Sequence, residues 1–145
     1  IEVVREGIVR RSKLYYLLEK LEEKGLLDST QIPVENRPDR RQYHLTKKGR
    51  DAFRFWTVAP VEKARNVRLV FLARLYFSLR IGEERALNLI AKQRALCQTW
   101  IDSLQGQLND IENPGYITQQ AFNFRIGQIQ AMLIWLDECQ KQLPL

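Results

Sequence analysis

Two stretches decide the fold. Residues 40–49 read Arg40-Arg41-Gln42-Tyr43-His44-Leu45-Thr46-Lys47-Lys48-Gly49, and residues 21–27 read Leu21-Glu22-Glu23-Lys24-Gly25-Leu26-Leu27. The first alternates polar and apolar residues as far as Leu45. That predicts a short strand with Tyr43 and Leu45 inward and His44 in solvent between them. Thr46 is a natural N-cap for a helix that includes Ala52, Phe53 and Trp56, with Pro60 marking a boundary after it. The second stretch closes an earlier helix. Ser12 is its expected N-cap, and Lys13 to Lys24 carries Leu14, Leu17, Leu18 and Leu21 at helical spacing. Leu14, Leu18 and Leu21 form the expected buried stripe, Gly25 is the stop, and Leu26 and Leu27 re-enter the core. Between the two stretches, Gln31 to Glu35 reads as a partner strand, with Pro33 favouring an edge position. Asn36 to Arg40 has turn chemistry.

Helix, two-stranded hairpin, helix over residues 12–57 is the order of a winged helix. Such a module lays one helix in the major groove of DNA while the hairpin, the wing, follows the backbone. The charge is distributed accordingly. From Asn36 to Arg50 stand Arg37, Arg40, Arg41, Lys47, Lys48 and Arg50, against Asp39 alone. A basic hairpin is often only a solvated face. The helix before it favours the sharper reading, because Ser12, Lys13, Tyr16 and Lys20 share its polar side and can meet phosphates and base edges.

These residues resemble the PadR-type transcriptional regulators. The resemblance lies in Leu14-Tyr15, Leu18, Leu21-Glu22-Glu23-Lys24-Gly25-Leu26-Leu27, Arg40-Arg41-Gln42-Tyr43-His44-Leu45-Thr46 and Gly49, over about residues 8–56. It implies a homodimeric, sequence-specific regulator of double-stranded operator DNA, more often a repressor, with Tyr15 beside the DNA backbone. The expected DNA-binding set is Arg11, Ser12, Lys13, Tyr15, Tyr16, Lys20, Arg37, Arg40 and Arg41. Arg10 and Arg11 depart from the small, Ser-Pro-like residues that precede this helix in the family, and would strengthen phosphate binding. The family also has two helices ahead of the recognition helix. Residues 1–11 hold only Ile1, Val4 and Ile8 around Gly7, at the spacing of a helix tail. The native polypeptide is therefore expected to extend upstream by roughly 30 residues at ordinary helix lengths.

The second half reads as all helix. Asn66 to Ile81 is apolar-rich and stops near Gly82. Glu83 to about Ile111 places Ile90, Cys97, Ile101, Leu104, Leu108 and Ile111 on one stripe, its last steps alternating four and three. Asn113-Pro114-Gly115 breaks the pattern, and Thr118 to about Gln142 resumes it with Phe122, Ile126, Ile129, Leu133 and Leu136. Two long helices joined by a tight turn make an antiparallel hairpin. The fold class is thus mostly α with a two-stranded β-wing: a winged helix-turn-helix over 1–60, then a helical dimerisation and effector domain over 61–145. The dimer interface is expected at Ile101, Leu104, Leu108, Phe122, Ile126, Ile129, Leu133 and Leu136. Trp56, Trp100 and Trp135 invite an effector pocket, since PadR-like regulators often respond to small aromatic compounds. Core or dimer interface is the plainer role for tryptophans at helical spacing.

Composition narrows the rest. The chain has 145 residues, a mass of 17.1 kDa, a net charge of +6 and a pI near 9.5, which suit a small globular protein with a polyanionic partner. The most apolar stretch, Leu69 to Leu79, is broken by Arg74 and is too short for the ~18 apolar residues of a membrane span. Cys97 and Cys139 set no zinc spacing, and placement along the hairpin argues against their pairing. A reduced, cytoplasmic protein is expected. A lone histidine, His44, with no nucleophile–base set, metal spacing or glycine-rich phosphate loop, argues against an enzyme, a metal or a cofactor. The competing reading is a protein-interaction module, a winged helix with an oligomerisation stalk. Arg37, Arg40 and Arg41 argue against it.

Overall fold

The computed structural model describes residues 11–33 and 40–144, with only the backbone of Arg11. The chain divides into two compact units, Ile1–Phe55 and Trp56–Leu145. The expected helix tail at residues 1–10, the end of the first strand at Val34 and Glu35, and the wing turn all lie outside the described residues.

In the first unit, α1 spans Arg11–Glu23, so Ser12 sits inside its first turn rather than capping it. Its end is a Schellman turn. The Leu26 N–H donates to the Leu21 carbonyl at 2.9 Å and the Gly25 N–H to the Glu22 carbonyl at 2.8 Å. Gly25 stands at φ 67°, a conformation that a Cβ would strain. This tight reversal lets strand β1 start at once. It runs Leu27–Ile32, not Gln31–Glu35 as expected, and stops before Pro33. Strand β2 is Arg40–Leu45, antiparallel to β1, with Leu27 opposite Leu45, Ser29 opposite Tyr43 and Ile32 opposite Arg40. Alternation then puts Leu27, Ser29, Gln31, Arg41, Tyr43 and Leu45 on one face, and Asp28, Thr30, Ile32, Arg40, Gln42 and His44 on the other.

Helix α2, Lys47–Val58, begins against the end of α1. Thr46 joins the two. Its hydroxyl donates to the Gly25 carbonyl at 2.8 Å and accepts the Gly49 N–H at 2.9 Å, while its own N–H reaches the Leu26 carbonyl at 3.2 Å. The Lys48 ammonium adds a bond to the Lys24 carbonyl at 2.8 Å. Orphan carbonyls of one helix and orphan amides of the next are thereby satisfied together. Gly49 makes the approach feasible, because a Cβ there would lie 2.0 Å from the Leu26 carbonyl oxygen.

The apolar core of this unit is thin. Leu27 is buried, whereas Leu14, Leu18, Leu26, Tyr43 and Phe53 are half-buried. Leu21 and Leu45, both expected inside, are 38% and 49% exposed. Two short strands offer one narrow face, on which Leu27 and Leu45 form the terminal pair.

In the second unit a 3-10 turn, Ala64–Asn66, leads into a π turn, Val67–Phe71, which forms the wider first turn of the helix expected from Asn66. Helices α3 (Leu72–Ile81), α4 (Glu83–Asn109) and α5 (Tyr116–Lys141) follow. The last two form the expected antiparallel hairpin. Asn113, at φ 55°, and Pro114 make its turn, and Arg94 pairs with Asp137 across it. The core holds Phe71, Leu75, Ala86, Leu89, Ile90, Cys97, Ile101, Leu104, Ile129 and Leu136, with Trp135 edge-on to Phe71. Of the expected α4 stripe, Leu108 is half-buried and Ile111 lies beyond the helix, exposed.

Three polar side chains fasten residues 57–61 to this unit. Buried Gln93 accepts the Val61 N–H at 2.6 Å and donates to the Val61 carbonyl at 3.2 Å. Ser78 donates to the Thr57 carbonyl at 2.8 Å. Arg74 donates to the carbonyls of Ala59 and Pro60 at 2.5 and 2.8 Å and lies 5.2 Å over the Trp56 ring. Cys97 and Cys139 are free thiols whose pKa burial raises. Among the described residues, no helix is long and apolar enough to cross a membrane, and no cluster of three or more His, Cys, Asp or Glu side chains could hold a metal ion.

Candidate nucleic-acid interface

The start of α1 presents the polar face expected from its sequence. Ser12 and Lys13 are exposed, and Tyr15 and Tyr16 are each 57% exposed. A half-open tyrosine ring keeps its hydroxyl available to a phosphate or base edge. Lys20, one turn beyond Tyr16, pairs with Glu23 at 2.7 Å, and its ammonium lies 5.8 Å from the Tyr16 ring centre. Such an exposed pair is weak and leaves the lysine free to exchange partners. The side chain of Arg11, and the whole of Arg37, lie outside the described residues.

The basic run on the wing divides into two kinds of residue. Arg40 stands exposed on the outer face of β2, its side chain with no ion pair or hydrogen bond among the described residues, and the Lys47 side chain is likewise exposed and unpaired. Arg41 stands on the opposite face. Its Nε donates to the Ser29 hydroxyl at 3.0 Å, and its Nη2 lies 3.3 Å from the Glu22 carboxylate. Lys48 and Arg50 also bind the unit's own backbone, Arg50 through the Leu45 carbonyl at 2.7 Å. The charge count is therefore a poor guide to free donors. All six bases contribute to the field, but Arg41, Lys48 and Arg50 direct donors inward. Strand alternation alone separates Arg40 from Arg41; no local signal marks Glu22 and Ser29 as the latter's partners.

The expected dimer residues are distributed differently from the expectation. Ile101, Leu104, Ile129 and Leu136 lie inside the chain's own hairpin core. Leu108, Phe122, Ile126 and Leu133 are half-buried. A stripe at heptad spacing on each arm of a hairpin is first satisfied by the other arm. The apolar residues left outside α5 are Tyr116, Ile117, Phe124 and Ile134, and sequence reasoning missed them. Ile117, Phe124 and Ala131 recur every seven residues on the face opposite the core, and the charged Glu138 continues the series at the end of the helix.

The three tryptophans do not share a pocket. Trp56 packs edge-on to Phe77 with ring centres 6.4 Å apart, and Trp100 is half-buried against the core. Trp135 lines a groove of about 640 Å³, together with Val67, Leu72, Ala131, Met132 and the arginines Arg65 and Arg68, and Trp100 lines a separate one of about 240 Å³.

Residues 2–54 match the model of the transcriptional regulator PadR-like family. No curated protein matches the chain significantly. Among solved structures the chain is similar to smu.1604c from Streptococcus mutans UA159, with a TM-score of 0.44 and 19% identity over 90% of this chain and 78% of that one. It is also similar to Bacillus subtilis PadR in complex with operator DNA, with a TM-score of 0.42 and 17% identity over 94% of this chain and 81% of that one. The segment that matches the family model holds α1, its glycine turn, both wing strands and the Thr46–Gly49 junction.

Proposed function

We propose that the protein is a homodimeric, sequence-specific regulator of double-stranded DNA, acting as a repressor, with residues 1–60 binding DNA and residues 61–145 holding the dimer. The observation that carries this reading is the pairing, within one unit, of an exposed Ser12–Lys13–Tyr16 helix start with a wing whose outer face bears Arg40. Base-edge contacts come from the helix start, with Tyr15 at the backbone. Phosphate contacts come from Lys20, Arg11 and the wing arginines Arg37 and Arg40. In this reading the crystallised Bacillus subtilis PadR–operator complex offers the precedent for the partner.

Selection of bound sequences from a random duplex pool tests it. A palindromic site, with affinity falling steeply as salt rises, is the expected result. Salt-insensitive binding to a protein partner, with no duplex recovered, would favour the interaction-module reading instead.

The outer face of α5 is the proposed dimer surface. The apolar stretch Ile117–Phe124–Ala131 suits a twofold interface, in which the same patch of both copies is buried together. Phe124→Glu with Ile117→Glu should halve the mass in sedimentation while leaving helix content intact. The same reading puts a small-molecule effector in the groove beside Trp135. Its apolar side chains and its arginines suit a small organic acid, and quenching of Trp135 fluorescence that Arg68→Ala weakens would support it.

A further inference from the structure

Arg41 makes three contacts, one with each of three elements. Its Nε–H donates to Ser29 on β1 at 3.0 Å, and its Nη2 reaches Glu22 at the end of α1 at 3.3 Å. Its guanidinium lies 5.6 Å from the ring centre of Tyr43 on its own strand. Ser29 in turn donates to the second oxygen of Glu22 at 2.6 Å, which closes the ring of bonds. The Glu22 side chain is only 28% exposed, so this is not a loose surface pair. The geometry uses the planar fork of a guanidinium, which neither lysine nor a point charge would reproduce.

We infer that Arg41 is a positioning residue: with Glu22 and Ser29 it struts the wing against the end of the recognition helix, and it is Arg40, on the other face of the same strand, that meets phosphate. This rests on the DNA-binding reading above and deepens it. A wing contacts the duplex productively only if its angle to the helix in the groove is set beforehand. Glu22 also gains a role that a carboxylate close to a polyanion otherwise lacks: it holds the arginine inward.

The two roles for Arg41 predict opposite signs for one variant. If Arg41 were a phosphate contact, Glu22→Ala would release it and remove a repelling charge, and duplex binding would tighten. If Arg41 is a strut, Glu22→Ala weakens duplex binding about tenfold, and so does Arg41→Ala. The double variant is then no worse than either single one. That double variant, which leaves net charge unchanged, keeps the wild-type salt slope, whereas Arg40→Ala lowers the slope by about one unit. Tighter binding by Glu22→Ala, or additive losses in the double variant, would overturn the assignment.

A second measurement needs no DNA. In the wild-type protein the Arg41 Nε–H should give a resolved NMR signal protected from water exchange, and Ser29→Ala should shift it. A fast-exchanging, averaged signal refutes the strut. A protected signal in a protein that binds no duplex would retain the strut and overturn the DNA-binding reading, so the two failures are distinct.

Discussion

The two units are held together by different physics. Trp56–Leu145 surrounds a continuous apolar core from Phe71 to Leu136. The wing unit has little besides Leu27 fully inside, and relies on backbone geometry: a Schellman turn, a threonine bridging two helix ends, and a glycine in close contact with a carbonyl. The helical unit should therefore respond most to changes of volume, and the wing unit to changes of backbone freedom. A recognition module gains from this division, because its side chains stay in solvent while its scaffold needs few of them.

The largest effects are expected in the helical core. Phe71→Ala should destabilise that unit by about 3–5 kcal/mol, and Leu136→Ala by about 2–5 kcal/mol, in urea unfolding. Burial raises the pKa of the Cys97 thiol and shields it, so its reaction with a thiol reagent near neutral pH should await unfolding and report the same loss. A loss below 1 kcal/mol from either substitution would remove the contrast with the wing. Next comes Gly49→Ala, where the new methyl meets the Leu26 carbonyl oxygen. It should cost the wing unit about 1–3 kcal/mol. Hydrogen exchange of β1 and β2 should accelerate while α4 and α5 stay protected. In the same unit Leu17→Ala should cost under about 0.5 kcal/mol, because Leu17 is exposed. Thr46→Val should cost about 1 kcal/mol by removing the cap, and Thr46→Ser should restore most of it.

The smallest effect is electrostatic. At the end of α5, a hydrogen bond from Lys141 and its charge hold the Glu138 carboxyl below its ordinary pKa, and Glu138 raises that of Lys141 in return. The stabilisation from Glu138 is present above the ordinary carboxylate range and fades as pH falls through its lowered value. That from Lys141 is present below the ordinary lysine range and fades as pH rises through its raised one. Both groups are solvent-exposed, so Glu138→Gln should leave the neutral-pH unfolding midpoint almost unchanged. A clear drop in that midpoint would mean that the end of α5 matters more than its exposure implies.

Much of the architecture was legible in the residues. Helix periodicity, the Gly25 stop, the Thr46 cap and the Asn113–Gly115 break are signals carried within a few positions. Each marks an element of the structure, although β1 begins at Leu27 rather than Gln31, because the Gly25 turn is tighter than a loose loop would be. The candidate interface was legible as a composition, an aromatic and basic helix start beside a basic hairpin, but not as a set of free donors.

Local order and long-range choice part company at α5 and β2. That a helix runs from about Thr118 to Gln142 follows from spacing and needs no neighbour, and the structure gives it as Tyr116–Lys141. Which face turns inward depends on α3 and α4, and they take Ile129 and Leu136, leaving Phe124 and Ile134 outside. That Arg40 and Arg41 point to opposite sides follows from the pleat. That Arg41 is held while Arg40 is unpaired depends on Glu22 and Ser29, brought beside it by the Gly25 turn. Turns, caps and periods arise from bond geometry and hydrogen bonds a few residues apart. Burial and pairing are competitions among groups distant in the chain, and a competition is settled only once all the contenders are in place.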